Sequence, residues 1–277
     1  MSSQPISRQK SEFAEALLTL TNIMEMLRHP ETGCPWDLEQ THQTIAPYTI
    51  EEAYEVAEAV AKGNPDDIRD ELGDLLLQII FQSQIASEHN HFDFVDVANS
   101  ISQKMIARHP HIFDKAQAND AAEVREGWED IKSRERANKG ETRQLDGIAA
   151  TLPAVLQAVK LQSRAARVGF DWPDVEQILD KLHEETREFE AELNTRANGN
   201  TPNQAALEDE LGDIMFVVIN LARKLDINPE QALAKTNRKF RKRFNHIEDQ
   251  MSKQNKSLTD TSLEEMEYWW QDAKTLP

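Results

Sequence analysis

Residues 51–55 read EEAYE and residues 71–74 read ELGD; residues 184–188 read EETRE and residues 210–213 read ELGD a second time. Side chains three apart on a helix emerge on one face, so Glu52 and Glu55 share a face, with Glu51 at its edge, and Glu71 and Asp74 repeat that spacing. Gly63, Asn64 and Pro65 form a turn between the two segments, which makes their helices antiparallel neighbours and lets four carboxylates converge. Without a cation such a group repels itself and its pKa values rise, whereas a hard divalent ion converts the repulsion into oxygen coordination. Mg²⁺ suits this role and bridges readily to phosphates, so the cluster implies a phosphate-bearing substrate.

Apolar residues run at helical spacing nearly everywhere. Phe13, Leu17, Leu20, Met24 and Leu27 form one stripe, whereas alternating strand patterns are scarce. An all-α fold follows, with helices expected near residues 11–28, 48–62, 66–88, 93–108 and 121–138. A second series is expected near 151–167, 174–196, 203–225, 229–251 and 262–275. Pro30, Gly33 and Pro35 break the first loop, and Pro110 is read as the end of the fourth helix.

The halves repeat in residue order. Gly33, Pro35 and Trp36 answer to Gly169, Asp171 and Trp172, and Glu51, Glu52 and Glu55 to Glu184, Glu185 and Glu188. Glu71 and Asp74 answer to Glu210 and Asp213, Lys104 and Arg108 to Lys239 and Arg243, and Trp128 and Lys132 to Trp270 and Lys274. The longer spacing in the second copy falls in a polar stretch, Asn194 to Asn203, as an insertion confined to a loop should. The expected organisation is one helical domain over 1–138, a polar linker over 139–150 and a second helical domain over 151–277.

With 49 acidic against 31 basic residues the formal charge is −18, which argues against duplex-DNA binding but leaves room for small anions delivered with a metal ion. Cys34 is the only cysteine, so intrachain disulfides and Cys-rich zinc sites are excluded. The N-terminus carries no apolar leader, and no apolar run approaches a membrane span. A cytoplasmic, non-membrane protein is expected.

Lys239 and Arg243 lie one turn apart, as do Lys104 and Arg108, and either pair could clamp a polyphosphate or simply pair with acids. Tryptophans usually pack cores, and Trp128 is read that way; Trp270 could pack or stack on a base. His109 and His111 are read as capping or phosphate-contacting residues before zinc ligands. The sequence contains no glycine-rich phosphate loop, GxSxG elbow or HExxH motif.

Taken together, GCPWD at 33–37, RHPHIF at 108–113, WEDIK at 128–132, GFDW at 169–172 and both acidic motif pairs resemble the MazG family of nucleoside triphosphate pyrophosphohydrolases, within the all-α NTP pyrophosphatase superfamily. The resemblance covers nearly the whole chain. It implies two tandem all-α domains, each built around an antiparallel acidic helix pair. It also implies Mg²⁺-dependent hydrolysis of NTPs and dNTPs between the α and β phosphates, with Mn²⁺ able to substitute, and a homodimer. Carried over residue by residue, Glu185, Glu188, Glu210 and Asp213 become metal ligands of a catalytic second domain. Lys239, Arg243, Trp270, Lys274, Glu184 and Trp172 then surround the nucleotide. A second site comprises Glu52, Glu55, Glu71 and Asp74, with Lys104, Arg108, Trp128 and Lys132. Competing readings are a narrower pyrophosphohydrolase, such as a dUTPase-like or phosphoribosyl-ATP hydrolase, and a non-catalytic helical module that binds nucleotide or protein.

Overall fold

The computed structural model describes residues 10–114, 121–138, 140–195 and 203–275. Residues 1–9, Lys139 of the expected linker and residues 196–202 of the polar insertion lie outside that set. The chain divides into two compact units, Met1–Lys132 and Ser133–Pro277. Among the described residues every regular element is a helix.

The first unit contains α1 (Lys10–Leu27), α2 (Pro35–Glu39), α3 (His42–Lys62), α4 (Pro65–Glu88), α5 (Phe94–Arg108) and α6 (Pro110–Phe113), followed by α7 (Ala121–Asn138), which continues into the second unit. Thr41 opens α3 with a capping box, in which the Thr41 hydroxyl accepts from the Thr44 amide and the Thr44 hydroxyl accepts from the Thr41 amide. The helix therefore starts six residues before the expected residue 48. Pro47 sits in the second turn, where it removes one hydrogen bond close to an end that the box already secures. Gly63, at φ 78°, closes α3 in the left-handed region, Asn64 caps α4 and Pro65 takes its first position. That two-residue turn makes α3 and α4 an antiparallel hairpin, one of the two most extensive helix pairings in the molecule.

Met24 of α1, Ile45 of α3 and Ile80, Phe81 and Ile85 of α4 are buried together, with Leu20, Leu76, Leu77 and Phe94 packed around them. Each such side chain contributes roughly 1.5–3 kcal/mol on burial. The α1–α2 loop folds back on the end of α1, where the Cys34 amide donates to the Leu27 carbonyl at 2.8 Å. A Cβ on Gly33 would lie 2.4 Å from that carbonyl oxygen, so the glycine of GCPWD is fixed by close backbone approach. The fourth expected helix ends at Arg108, just before Pro110 as read, and Pro110 then begins the short α6.

The second unit contains α8 (Ala154–Ala166), α9 (Val175–Thr195), α10 (Gln204–Lys224), α11 (Pro229–Lys253) and α12 (Leu263–Thr275), with a 3₁₀ turn at Leu258–Asp260. Its interior gathers Ala158, Ile178, Val217, Ile219, Ile247, Met251 and Ala273. The α9–α10 pair is the other extensive pairing, and α8 and α11 pack against α10. Residues 140–150 hold no helix, yet Gln144 donates to the Arg164 carbonyl and the Arg164 guanidinium to the Asp146 carbonyl, so this stretch is fastened to α8. No described helix is long and apolar enough to cross a membrane.

Candidate metal centre

The α3–α4 hairpin brings Glu52, Glu55 and Glu71 together, with one carboxylate oxygen of each within 4.8 Å of the others. Glu185 and Glu188 of α9 and Glu210 of α10 form the same trio in the second unit. Asp74 and Asp213, the fourth carboxylates expected, fall outside these close groups. They still act electrostatically, because each stands one turn further along the helix that carries Glu71 or Glu210.

The trios are clusters of like charge. The Glu52 pKa is raised by burial and then by the charges of Asp74, Glu55 and Glu71; that of Glu71 is raised by burial and then by Glu55 and Asp74. The Glu210 pKa is raised by burial, then by Glu188, Glu185 and Asp213. Glu52 and Glu210 each keep a buried Oε2 with no hydrogen-bond partner. An orphaned carboxylate oxygen in a cluster of like charge is costly unless a cation supplies what is missing, so these residues fit a hard divalent ion. Beside the first trio lies a cleft of about 160 Å³ lined by Glu55, Glu58, Ala59, Lys62, Asp67 and Glu71.

One participant escaped the motif reading. Lys181 sits one turn before the second EExxE, with Nζ 2.9 Å from Glu184 and 2.7 Å from Glu185, and hydrogen bonds to Glu185 and then Glu184 raise its pKa. The signal was present as a Lys at i−3 and i−4 from two glutamates, a spacing that pairs on a helix. Glu184, expected near the nucleotide, is thus engaged with Lys181.

The cationic and aromatic candidates of the second unit come from α11 and α12. The Arg243 guanidinium lies 5.5 Å from the Trp270 ring centroid, and the Phe240 ring, tilted to the indole, lies 5.2 Å from it. Lys239 is exposed, and Lys274 donates to Gln271 at 3.0 Å. Trp172 is half-buried, with its carbonyl accepting from Lys224, whose ammonium also pairs with Asp171. In the first unit Lys104 is exposed, while Arg108 and Lys132 are half-buried. Trp128 packs edge-on against His109 at 4.9 Å, and its buried Nε1 has no partner. His109 itself turns Nδ1 to the Met105 carbonyl at 2.6 Å, as a capping residue does.

The same sequence pattern recurs in known proteins. A family model described as the MazG nucleotide pyrophosphohydrolase domain matches residues 40–113 and again 173–248, so each match contains one trio. The chain is 47% identical to a nucleoside triphosphate pyrophosphohydrolase of Escherichia coli K12, over 92% of this chain and 95% of that one. It is 40% identical to the nucleoside triphosphate pyrophosphohydrolase/pyrophosphatase MazG of Thermotoga maritima, over 92% and 94%. It is also 43% identical to the uncharacterized protein YabN of Bacillus subtilis, over 98% of this chain and 54% of that longer one. By both family matches and by relatives aligned along almost its full length, this chain belongs to the MazG nucleotide pyrophosphohydrolase family.

Proposed function

We propose that this chain hydrolyses nucleoside and deoxynucleoside triphosphates between the α and β phosphates, releasing the monophosphate and pyrophosphate with Mg²⁺ as its metal and Mn²⁺ as a substitute. The observation that carries the reading is the convergence of three glutamates within 4.8 Å on each acidic helix pair. Glu185, Glu188 and Glu210 would hold the ion, with Asp213 one turn away; Glu52, Glu55, Glu71 and Asp74 offer the same set in the first domain. When bound, the ion supplies positive charge that draws in and polarises the phosphate chain.

The protein's own groups complete the chemistry. A water oxygen bonds to the α phosphorus as the bond from that phosphorus to the bridging oxygen breaks, and a carboxylate of the trio accepts the water's proton. Lys239 and Arg243 offset charge on the departing pyrophosphate, with Lys274 and Lys181 as further cations in the same unit. Trp270, held by Arg243 and Phe240, offers an aromatic face to the base. In the first domain Lys104, Arg108, Trp128 and Lys132 take the corresponding places.

Exposed apolar side chains on the acidic helices support a homodimer. They include Tyr54, Val60 and Leu72 in the first unit and Leu211, Met215 and Val218 in the second. A lone thiol at Cys34 agrees with a reducing cytoplasm.

Pyrophosphate release by full-length Glu55→Ala and Glu188→Ala proteins tests the assignment. Glu188→Ala should lose at least about 100-fold in kcat/KM, the scale of removing one electrostatic stabiliser. Glu55→Ala should retain most activity if the second domain carries turnover. Unchanged metal-dependent activity in Glu188→Ala would remove that residue from the site.

A further inference from the structure

The two trios solve the same electrostatic problem differently. In the second, the buried member Glu185, 6% exposed, receives the Lys181 ammonium at 2.7 Å, and Lys181 bridges on to Glu184 at 2.9 Å. The motif register that aligns Glu51 with Glu184 puts Tyr48 at the position of Lys181. Tyr48 carries no charge and packs edge-on against Trp36 at 6.2 Å. Glu52, the counterpart of Glu185, is accordingly left with a buried and unpartnered Oε2, whereas Glu185 has its amine.

A tethered ammonium at a carboxylate neutralises part of the charge that would attract a divalent ion, and it takes up one of the two Glu185 oxygens. Binding a metal to the second trio therefore requires breaking an ion pair that is partly shielded from water; binding to the first requires breaking none. The competing amine is also at high effective concentration, because it is carried one turn away on the same helix.

We propose that Lys181 is a built-in counter-ion that competes with the divalent cation for Glu185, so that in the absence of nucleotide the second domain binds metal more weakly than the first. The consequence is a coupling: metal occupancy of the second domain is favoured when an incoming anion offers the displaced ammonium another partner. The inference rests on the reading of both trios as metal sites.

Mn²⁺ binding to the full-length protein without nucleotide, followed by electron paramagnetic resonance of the free ion, tests it. Glu55→Ala leaves the second trio intact and Glu188→Ala leaves the first. The Glu188→Ala protein should bind Mn²⁺ roughly tenfold more tightly than Glu55→Ala, the order expected for one unit charge a few ångströms away with partial solvent screening. Adding Lys181→Met to Glu55→Ala should recover about that factor. The reciprocal Tyr48→Lys in the Glu188→Ala background should weaken binding by a similar amount, a readout that does not depend on Lys181→Met folding well. Equal Mn²⁺ affinities with and without Lys181, in a protein of unchanged helicity, would overturn the counter-ion. If instead the Glu55→Ala/Glu188→Ala double variant binds Mn²⁺ as tightly as the parent, the metal-site reading itself falls, and the counter-ion with it.

Discussion

Single residues decide where charge can sit in this protein, and the contrast between Arg28 and the trios shows it. Arg28, with 5% of its side chain exposed, donates through Nε and a terminal nitrogen to both oxygens of Glu88, at 2.8 and 2.7 Å, and also reaches the Asp37 carbonyl. Burial alone would raise the Glu88 pKa, but hydrogen bonds from Arg28 and Gln84 and the nearby positive charge outweigh it and hold the pKa below 4.5. A depressed carboxylate stabilises the fold above its unfolded pKa and loses that contribution as pH falls through the folded value. Glu88→Gln should therefore cost about 2 kcal/mol at neutral pH, and the difference from the parent should shrink once the pH drops below the ordinary carboxylate range. Urea denaturation at pH 7 and pH 3.5 measures this; a difference that stays constant would show that the pair is not the source. The trios have no such guanidinium, and Glu52, Glu71 and Glu210 move the other way.

At the scale of elements, the acidic hairpin depends on its turn. Gly63 lies in the left-handed region with open space around its Cα, so Gly63→Ala adds no clash and should cost only the backbone strain, about 1 kcal/mol. Gly33 is the opposite case: an added Cβ meets three backbone atoms of Leu27 and His29 at 2.4–2.8 Å. Gly33→Ala should destabilise by more than about 2 kcal/mol, because main chain rather than a flexible side chain must move. Thermal melts of the two variants rank them, and a milder effect at Gly33 would contradict the close approach. The long helices were legible because their apolar periodicity persists over several turns. The five residues of α2 and four of α6 are too short to show a period, and they form because Pro35 and Pro110 occupy first helical positions. Pro47 is tolerated inside α3, since a proline early in a helix breaks less than one in its middle.

For the whole molecule, the duplicated sequence becomes two compact units whose interiors are apolar, while the carboxylates stand on the helix pairs. Folding of this protein should therefore not require metal. Circular dichroism in excess chelator should show helicity unchanged within error, and Mg²⁺ at about a hundredfold excess over Kd should add roughly 2.7 kcal/mol of stability per site by mass action. Loss of helicity in chelator would mean that the ion is structural. Light scattering coupled to gel filtration should return twice the chain mass of 31.6 kDa if the exposed apolar residues on the acidic helices meet a second copy.

The sequence by itself determined the helical class and the twofold repeat, and it placed eight carboxylates at spacings that share helix faces, because helical spacing fixes which side chains share a face whatever the rest of the chain does. Tertiary structure decided which of them meet. Glu52, Glu55 and Glu71 converge because their positions face one another across the hairpin, while Asp74, one turn further along α4, stays outside the close group. Arg28 and Glu88, sixty residues apart, pair only because α1 packs on α4. Lys181 stands between these cases. Its spacing to Glu184 and Glu185 is written in the sequence, but that its amine rests on a buried member of the glutamate trio depends on α10 burying Glu185, and burial is a property of the packed molecule.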